Sequence, residues 1–74
     1  MRIKVKLFAT LRLDRGKIVE LEVDENATVS EVMAELQIKR DEIAILLVNG
    51  LDGKMDTKLK DSDTISVFPP VGGG

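Results

Sequence analysis

Residues 27–38 read "ATVSEVMAELQI", and the spacing of their apolar positions decides the fold. Val29, Val32, Met33 and Leu36 fall at i, i+3, i+4 and i+7, which places them on one stripe of a helix. Thr28, followed three residues later by Glu31, is a capping-box pattern in which hydroxyl and carboxylate each satisfy an unpaired backbone N–H. The pattern predicts a helix from Val29 to Gln37, ending at the charged cluster "KRDE" of residues 39–42. A second full helix has no comparable stretch to draw on.

On either side the period changes to two. In "RIKVKLF" (2–8), Ile3, Val5 and Leu7 share one parity and Lys4 and Lys6 the other, as in a strand with one buried face. In "IVELEV" (18–23), Val19, Leu21 and Val23 alternate with Glu20 and Glu22. Asp14, Arg15 and Gly16 between them suit a turn, so the two strands pair as an antiparallel hairpin. Beyond the helix, "IAILLV" (43–48) reads as a more buried strand closed by the tight-turn pair Asn49-Gly50, with a short return strand near Leu51. "DGKMDTKLKDSD" (52–63) reads as loop with Leu59 as a buried plug, and "TISVF" (64–68) as the last strand, Ile65 and Val67 inward. Hairpin, helix, strand, short strand and final strand make an α+β chain of the β-grasp, or ubiquitin-like, type. A mixed sheet of four to five strands packs on one main helix over residues 1–68, and a flexible C-terminal tail follows over 69–74.

The composition excludes several functions. A chain of 74 residues buries about 60% of its unfolded surface, too little for a deep active-site cavity. It has no cysteine and no histidine, so thiol nucleophiles, disulfides, the usual neutral-pH acid/base and the commonest metal ligands are missing. The chain is therefore not expected to be an enzyme on its own or to hold a metal or cofactor. Its net charge of −2, with Phe8 and Phe68 as its only aromatics and no basic stripe, argues against nucleic acid. No apolar run approaches the ~20 residues of a membrane span, and the alternating N-terminus is unlike a signal peptide. A cytoplasmic protein, monomeric when alone, is the expectation. The carboxylate pairs Glu31/Glu35, Glu20/Glu22 and Asp61/Asp63 fall on faces or turns expected to be solvated, as do Lys54, Lys58 and Lys60. Met33 reads as a core filler and Asn49-Gly50 as a turn alone.

The end of the chain, "VFPPVGGG" (67–74), is the chemical signal. Pro69 and Pro70 donate no N–H, stop ladder pairing and hold the exit extended. Gly72, Gly73 and Gly74 lack Cβ, so they can thread a narrow channel and leave the terminal carbonyl unhindered. Fully extended, Pro70 to Gly74 reach about 16 Å at ~3.3 Å each, enough to carry an end group into a partner.

Three stretches carry a resemblance: "LFATLR" (7–12), "DTKLKDSDTISVFPP" (56–70) and the tail itself. With them the chain resembles the MoaD/ThiS family of ubiquitin-like sulfur carriers over essentially its whole length, closest to the molybdopterin synthase small subunit with its diglycine C-terminus. It departs in having Ser62 where the family usually has glycine, and Lys58 where proline is frequent. The resemblance implies that the carboxylate of Gly74 is adenylated by a partner related to ubiquitin-activating enzymes, which consumes ATP. A sulfur donor then makes a thiocarboxylate, and the sulfur is delivered inside an acceptor enzyme such as the large subunit of molybdopterin synthase. Gly72, Gly73, Val71, Pro69 and Pro70 would form the tail that enters the partner. A carrier for thiamine's thiazole or another sulfur pathway, a protein modifier conjugated through Gly74, and a plain β-grasp interaction module remain open alternatives.

Phe8 and Phe68 lie off the inward parity of their strands. Because the first and last strands of a β-grasp sheet are central neighbours, the two rings can form an apolar patch on the helix-free face, beside the tail exit. Such a patch, with Val71, would dock the partners; the rings equally suit capping the core at the sheet rim.

Overall fold

The computed structural model describes residues 1–71; Gly72, Gly73 and Gly74, on which the terminal chemistry was placed, lie outside the described residues. The elements in chain order are β1 (Arg2–Leu7), a 3-10 turn (Ala9–Arg12), β2 (Ile18–Glu22), α1 (Val29–Glu35), a second 3-10 turn (Arg40–Glu42), β3 (Ile45–Val48), β4 (Leu51–Asp52) and β5 (Thr64–Phe68). The sheet order is β2-β1-β5-β3-β4, with β1 and β5 parallel and the other pairs antiparallel. This is the β-grasp arrangement expected from the sequence. Among the described residues no helix is long and apolar enough to cross a membrane.

The core is where the two periods meet. Val5 and Leu7 of β1, Ile65 and Val67 of β5, and Val29, Val32 and Met33 of α1 are all fully buried. Leu59 fills the plug position at 3% exposure, and Ile38 and Leu11 close the ends. The loop around Leu59 is tied to the start of the helix. Val29 and Ser30 donate to the carbonyls of Thr57 and Met55, and the Leu59 N–H donates to Ala27. Those contacts change the cap: Thr28 Oγ1 accepts from the Glu31 N–H at 3.4 Å, but only this half of the capping box forms. The N–H groups of Val29 and Ser30, unpaired within the helix, are met by the loop carbonyls of Thr57 and Met55.

At its other end α1 stops earlier than Gln37. Leu36 is the cap and Gln37 takes a left-handed φ of 58°. Ile38 N–H donates to Met33 and Gln37 N–H to Ala34, the bond pair of a Schellman motif with Gln where glycine is usual. Arg15 locks this end. Its guanidinium donates to the carbonyls of Leu36 (3.0 Å), Gln37 (3.2 Å) and Leu11 (3.1 Å), joining the helix to the β1–β2 connection. The turn expected at Asp14, Arg15 and Gly16 is present, with Asp14 at φ 62° and Gly16 at φ 96°, and it is preceded by a 3-10 turn, Ala9–Arg12, that buries Leu11.

Two further expectations are corrected. "IAILLV" is not a more buried strand: only Ile45–Val48 is extended, none of it is buried, and Ile45 is 52% exposed. Leu46 and Val48, registered with Val67 and Ile65, are half-buried against the core, and Ile45 and Leu47 lie on the opposite face. Asp63 is not solvated but 8% exposed. Its carboxylate accepts from the Lys60 N–H and from Asn49 Nδ2, both at 2.7 Å, so Asn49 is more than a turn residue. Asp61 stays exposed and accepts from the Arg2 N–H at 2.9 Å.

Two stability predictions follow from these bends. Asp63 N–H closes a turn onto Lys60 with Ser62 as its third residue, at φ 69°. Serine in this region costs about 1–2 kcal/mol, against about 0.5–1 kcal/mol of entropy for glycine. Ser62→Gly should therefore raise the thermal midpoint, by about 2–8 °C for ~0.5–1 kcal/mol. Lysine cannot reproduce the three-carbonyl contact of Arg15. Arg15→Lys should destabilise the fold by about 1–2 kcal/mol, read as a lower urea midpoint at unchanged m-value.

Candidate functional site: the tail exit

The last strand leaves the domain at a defined point. Phe68, the final residue of β5, sits beside Ile45 in the β3 register, and its carbonyl accepts from the Ala44 N–H at 2.8 Å. Pro69 then ends the ladder for want of an N–H. Pro69 is half-buried, Pro70 is exposed, and Val71 is 93% exposed. The tail residues that can be described therefore project from the sheet instead of folding back onto it.

At the exit, β1 and β5 run in register with Leu7 opposite Val67, which puts Phe8 beside Phe68. Their rings stack with centroids 4.1 Å apart and planes 9° from parallel. Both are half-buried, on the parity opposite to the buried Leu7 and Val67, and so on the face away from the helix. The sequence placed both rings correctly. An aromatic pair of this kind contributes about 0.5–1.5 kcal/mol beyond the area it covers.

The structure adds two residues that sequence reasoning missed. Arg12 lies over the outer face of Phe8, its guanidinium carbon 5.4 Å from the ring centroid, while its Nε donates to the Leu7 carbonyl at 2.8 Å. The 3-10 turn makes this possible by bringing position 12 back over position 8. Ile45 extends the patch on the Phe68 side. The continuous apolar run "IAILLV" hid which of its residues face outward, whereas the Arg12 position was already visible in "LFATLR".

The same face changes character along its length. Away from the exit, Arg2 and Glu22 form an ion pair at 3.3 Å, and Lys4 is registered with Glu20. Near the exit, Lys6 is registered with Ile18 and Ser66 and has no carboxylate opposite. The site is thus an apolar surface of Phe8, Phe68 and Ile45 with cations at its edge, placed where the chain departs. Partly exposed aromatic residues beside Arg are the composition of interface centres.

Comparison with known proteins agrees with this geometry. The model of the ThiS family matches residues 5–74. Small archaeal modifier protein 3 of Haloferax volcanii is 38% identical over 93 aligned positions that cover all of both chains. The solved structure of the Pyrococcus furiosus protein described as molybdopterin converting factor, subunit 1 superposes with a TM-score of 0.80 at 31% identity, over 96% of this chain and 99% of that one. A chain from the complex of subunits 1 and 2 of molybdopterin-converting factor of Helicobacter pylori gives a TM-score of 0.67 at 26% identity, over all of both chains. The chain belongs to the ThiS/MoaD family of small ubiquitin-like proteins.

Proposed function

We propose that this protein is a sulfur carrier whose working group is the α-carboxylate of Gly74. In this reading a partner enzyme adenylates the carboxylate with ATP, releasing pyrophosphate. Sulfide attacks the acyl carbon and displaces AMP, and the resulting thiocarboxylate gives up its sulfur inside an acceptor enzyme, with water restoring the carboxylate. The catalytic side chains lie in the partners, and this chain is the cosubstrate. The observation that carries the reading is the course of β5. A strand at the sheet centre, anchored by the fully buried Ile65 and Val67, emerges beside a stacked aromatic pair and continues in sequence through two prolines to the glycines. The likeness to molybdopterin converting factor subunit 1 supports molybdopterin formation as the pathway, with a large synthase subunit as acceptor. Phe8, Phe68 and Ile45 would seat against an apolar partner surface carrying carboxylates opposite Arg12 and Lys6.

A second reading is favoured by the 38% identity to an archaeal modifier protein. There the same activated carboxylate is attacked by a target lysine amine, and the product is an isopeptide-linked conjugate. The two fates share one activation step and differ in product.

Incubation with ATP, a cognate activating enzyme and sulfide should give the intact chain the mass increment of sulfur replacing oxygen. Conjugates that survive denaturing gels, without that increment, would reject the carrier in favour of the modifier; neither product would reject both. For the docking surface, Phe8→Ala and Phe68→Ala should each weaken partner binding by about tenfold or more, as removal of an interface anchor does. A larger effect on the melting temperature than on binding would assign the rings to the fold instead.

A further inference from the structure

The turn at the far end of the sheet from the tail carries the sequence Asn49-Gly50. This dipeptide is chemically fragile in an unrestrained chain, because glycine leaves its own backbone nitrogen free to reach the asparagine side chain. In the reaction the Gly50 nitrogen bonds to Asn49 Cγ, and the side-chain nitrogen leaves as ammonia. Water then opens the cyclic imide to aspartate or isoaspartate. No oxidant or reductant is involved.

The structure holds Asn49 in a way that opposes this. Its backbone N–H donates to the Thr64 carbonyl at 2.7 Å, and its side-chain Oδ1 accepts the Thr64 N–H at 2.9 Å. Its Nδ2 donates to Asp63 Oδ1 at 2.7 Å. The orientation of the amide is fixed by these partners, since a flip would set two donors together and bring an oxygen against the carboxylate. Asp63 is itself pinned: it is buried, and its second oxygen accepts the Lys60 N–H at 2.7 Å. The amide that must rotate and lose its nitrogen is thus anchored through both of its polar atoms.

We propose that Asn49 is a latent site of spontaneous deamidation, kept unreacted in the folded protein by Asp63 and the backbone of Thr64. The site does not depend on the function assigned to Gly74. Its product would break the clamp that protects it. An aspartate at position 49 loses the donor to Asp63 and sets two carboxylates against each other where β3 and β5 meet. An isoaspartate adds a backbone methylene inside the tight turn. Deamidation would therefore loosen the strand that carries the tail, coupling chemical ageing to loss of the fold.

The test uses the full chain at neutral pH and 37 °C, followed by peptide mass mapping of the segment containing Asn49. Releasing a bond to a charged acceptor corresponds to about a tenfold change in rate. Native protein should deamidate at Asn49 at least about tenfold more slowly than the same chain in urea. Asp63→Ala should accelerate the native reaction by about tenfold or more. Arg15→Ala weakens the fold at a distant point, and in a variant still folded by circular dichroism it should leave the rate unchanged. Equal rates for native and urea-treated protein, no acceleration in Asp63→Ala, or equal acceleration in Arg15→Ala would each overturn the proposal. Asn49→Asp, which carries one product directly, should melt below the parent protein; equal melting temperatures would overturn the link from deamidation to unfolding.

Discussion

The parallel pairing of β1 with β5 is the constraint on which the rest of this small domain depends. It brings the fully buried Val5 and Leu7 beside Ile65 and Val67, and these cover Val29, Val32 and Met33 of the helix. Each such side chain contributes about 1.5–3 kcal/mol on burial. A domain of this length has a net margin of roughly 4–11 kcal/mol, so two of these contacts are comparable with the whole. Parallel neighbours also need a long crossover, and here the crossover is nearly everything else: β2, α1, β3 and β4 lie between β1 and β5 in the chain. The middle of the sequence is in effect a brace for its two ends.

That pairing divides the sheet into two faces with different work. The helix side holds the stability. The other side is free to vary, and it does so along its length, from the Arg2–Glu22 ion pair at one end to the Arg12–Phe8–Phe68 column at the other. An exposed ion pair adds little to stability. It does neutralise the part of the face away from the tail, leaving the exit end both apolar and positively edged. The two-residue β4 presents little ladder to another chain, which limits pairing at that edge. The tail-exit surface is the part of the sheet most suited to a partner.

Much of this was legible in the sequence because most elements show a single clear period. Val29, Val32, Met33 and Leu36 announced the helix, and the alternations of residues 2–8, 18–23 and 64–68 gave the strands and the outward parity of Phe8 and Phe68. The burial of β3 differs from expectation because four consecutive apolar residues show no parity, so only their register against β5 decides which face the core. The bends were harder. Asp14 and Asn49, of types enriched at positive φ, fall in turns the sequence marked, but Ala9, Gln37 and Ser62 also have positive φ and carry no such mark. Arg12 and Arg15 depend on those bends to reach Phe8 and the helix end, and Asp63 is buried only because Asn49 and Lys60 supply its hydrogen bonds. Long-range partners of polar side chains have no periodic signature. The role of Gly74 rests on sequence chemistry and family membership.

These features make sense together if the domain serves to hold one strand at both ends. At its start, β5 is fixed by the paired hydrogen bonds between Thr64 and Asn49 and by Asp63 beneath them. At its finish it is fixed by the Ala44 N–H on the Phe68 carbonyl and by the stacked ring of Phe8. A strand pinned only in its middle could pivot, and the first residues beyond it would sweep a wide volume. Pinned at both ends and continued by two prolines, it gives Val71 a narrow range of directions relative to the aromatic patch. Under the proposed function, docking and presentation would then be one event, because a partner seated on Phe8 and Phe68 would meet Pro69, Pro70 and Val71 at a fixed point of the sheet. Under the proposed function, ordering done within the domain lowers the entropy that binding must overcome, so even a small fold would suffice to present an end group to another protein.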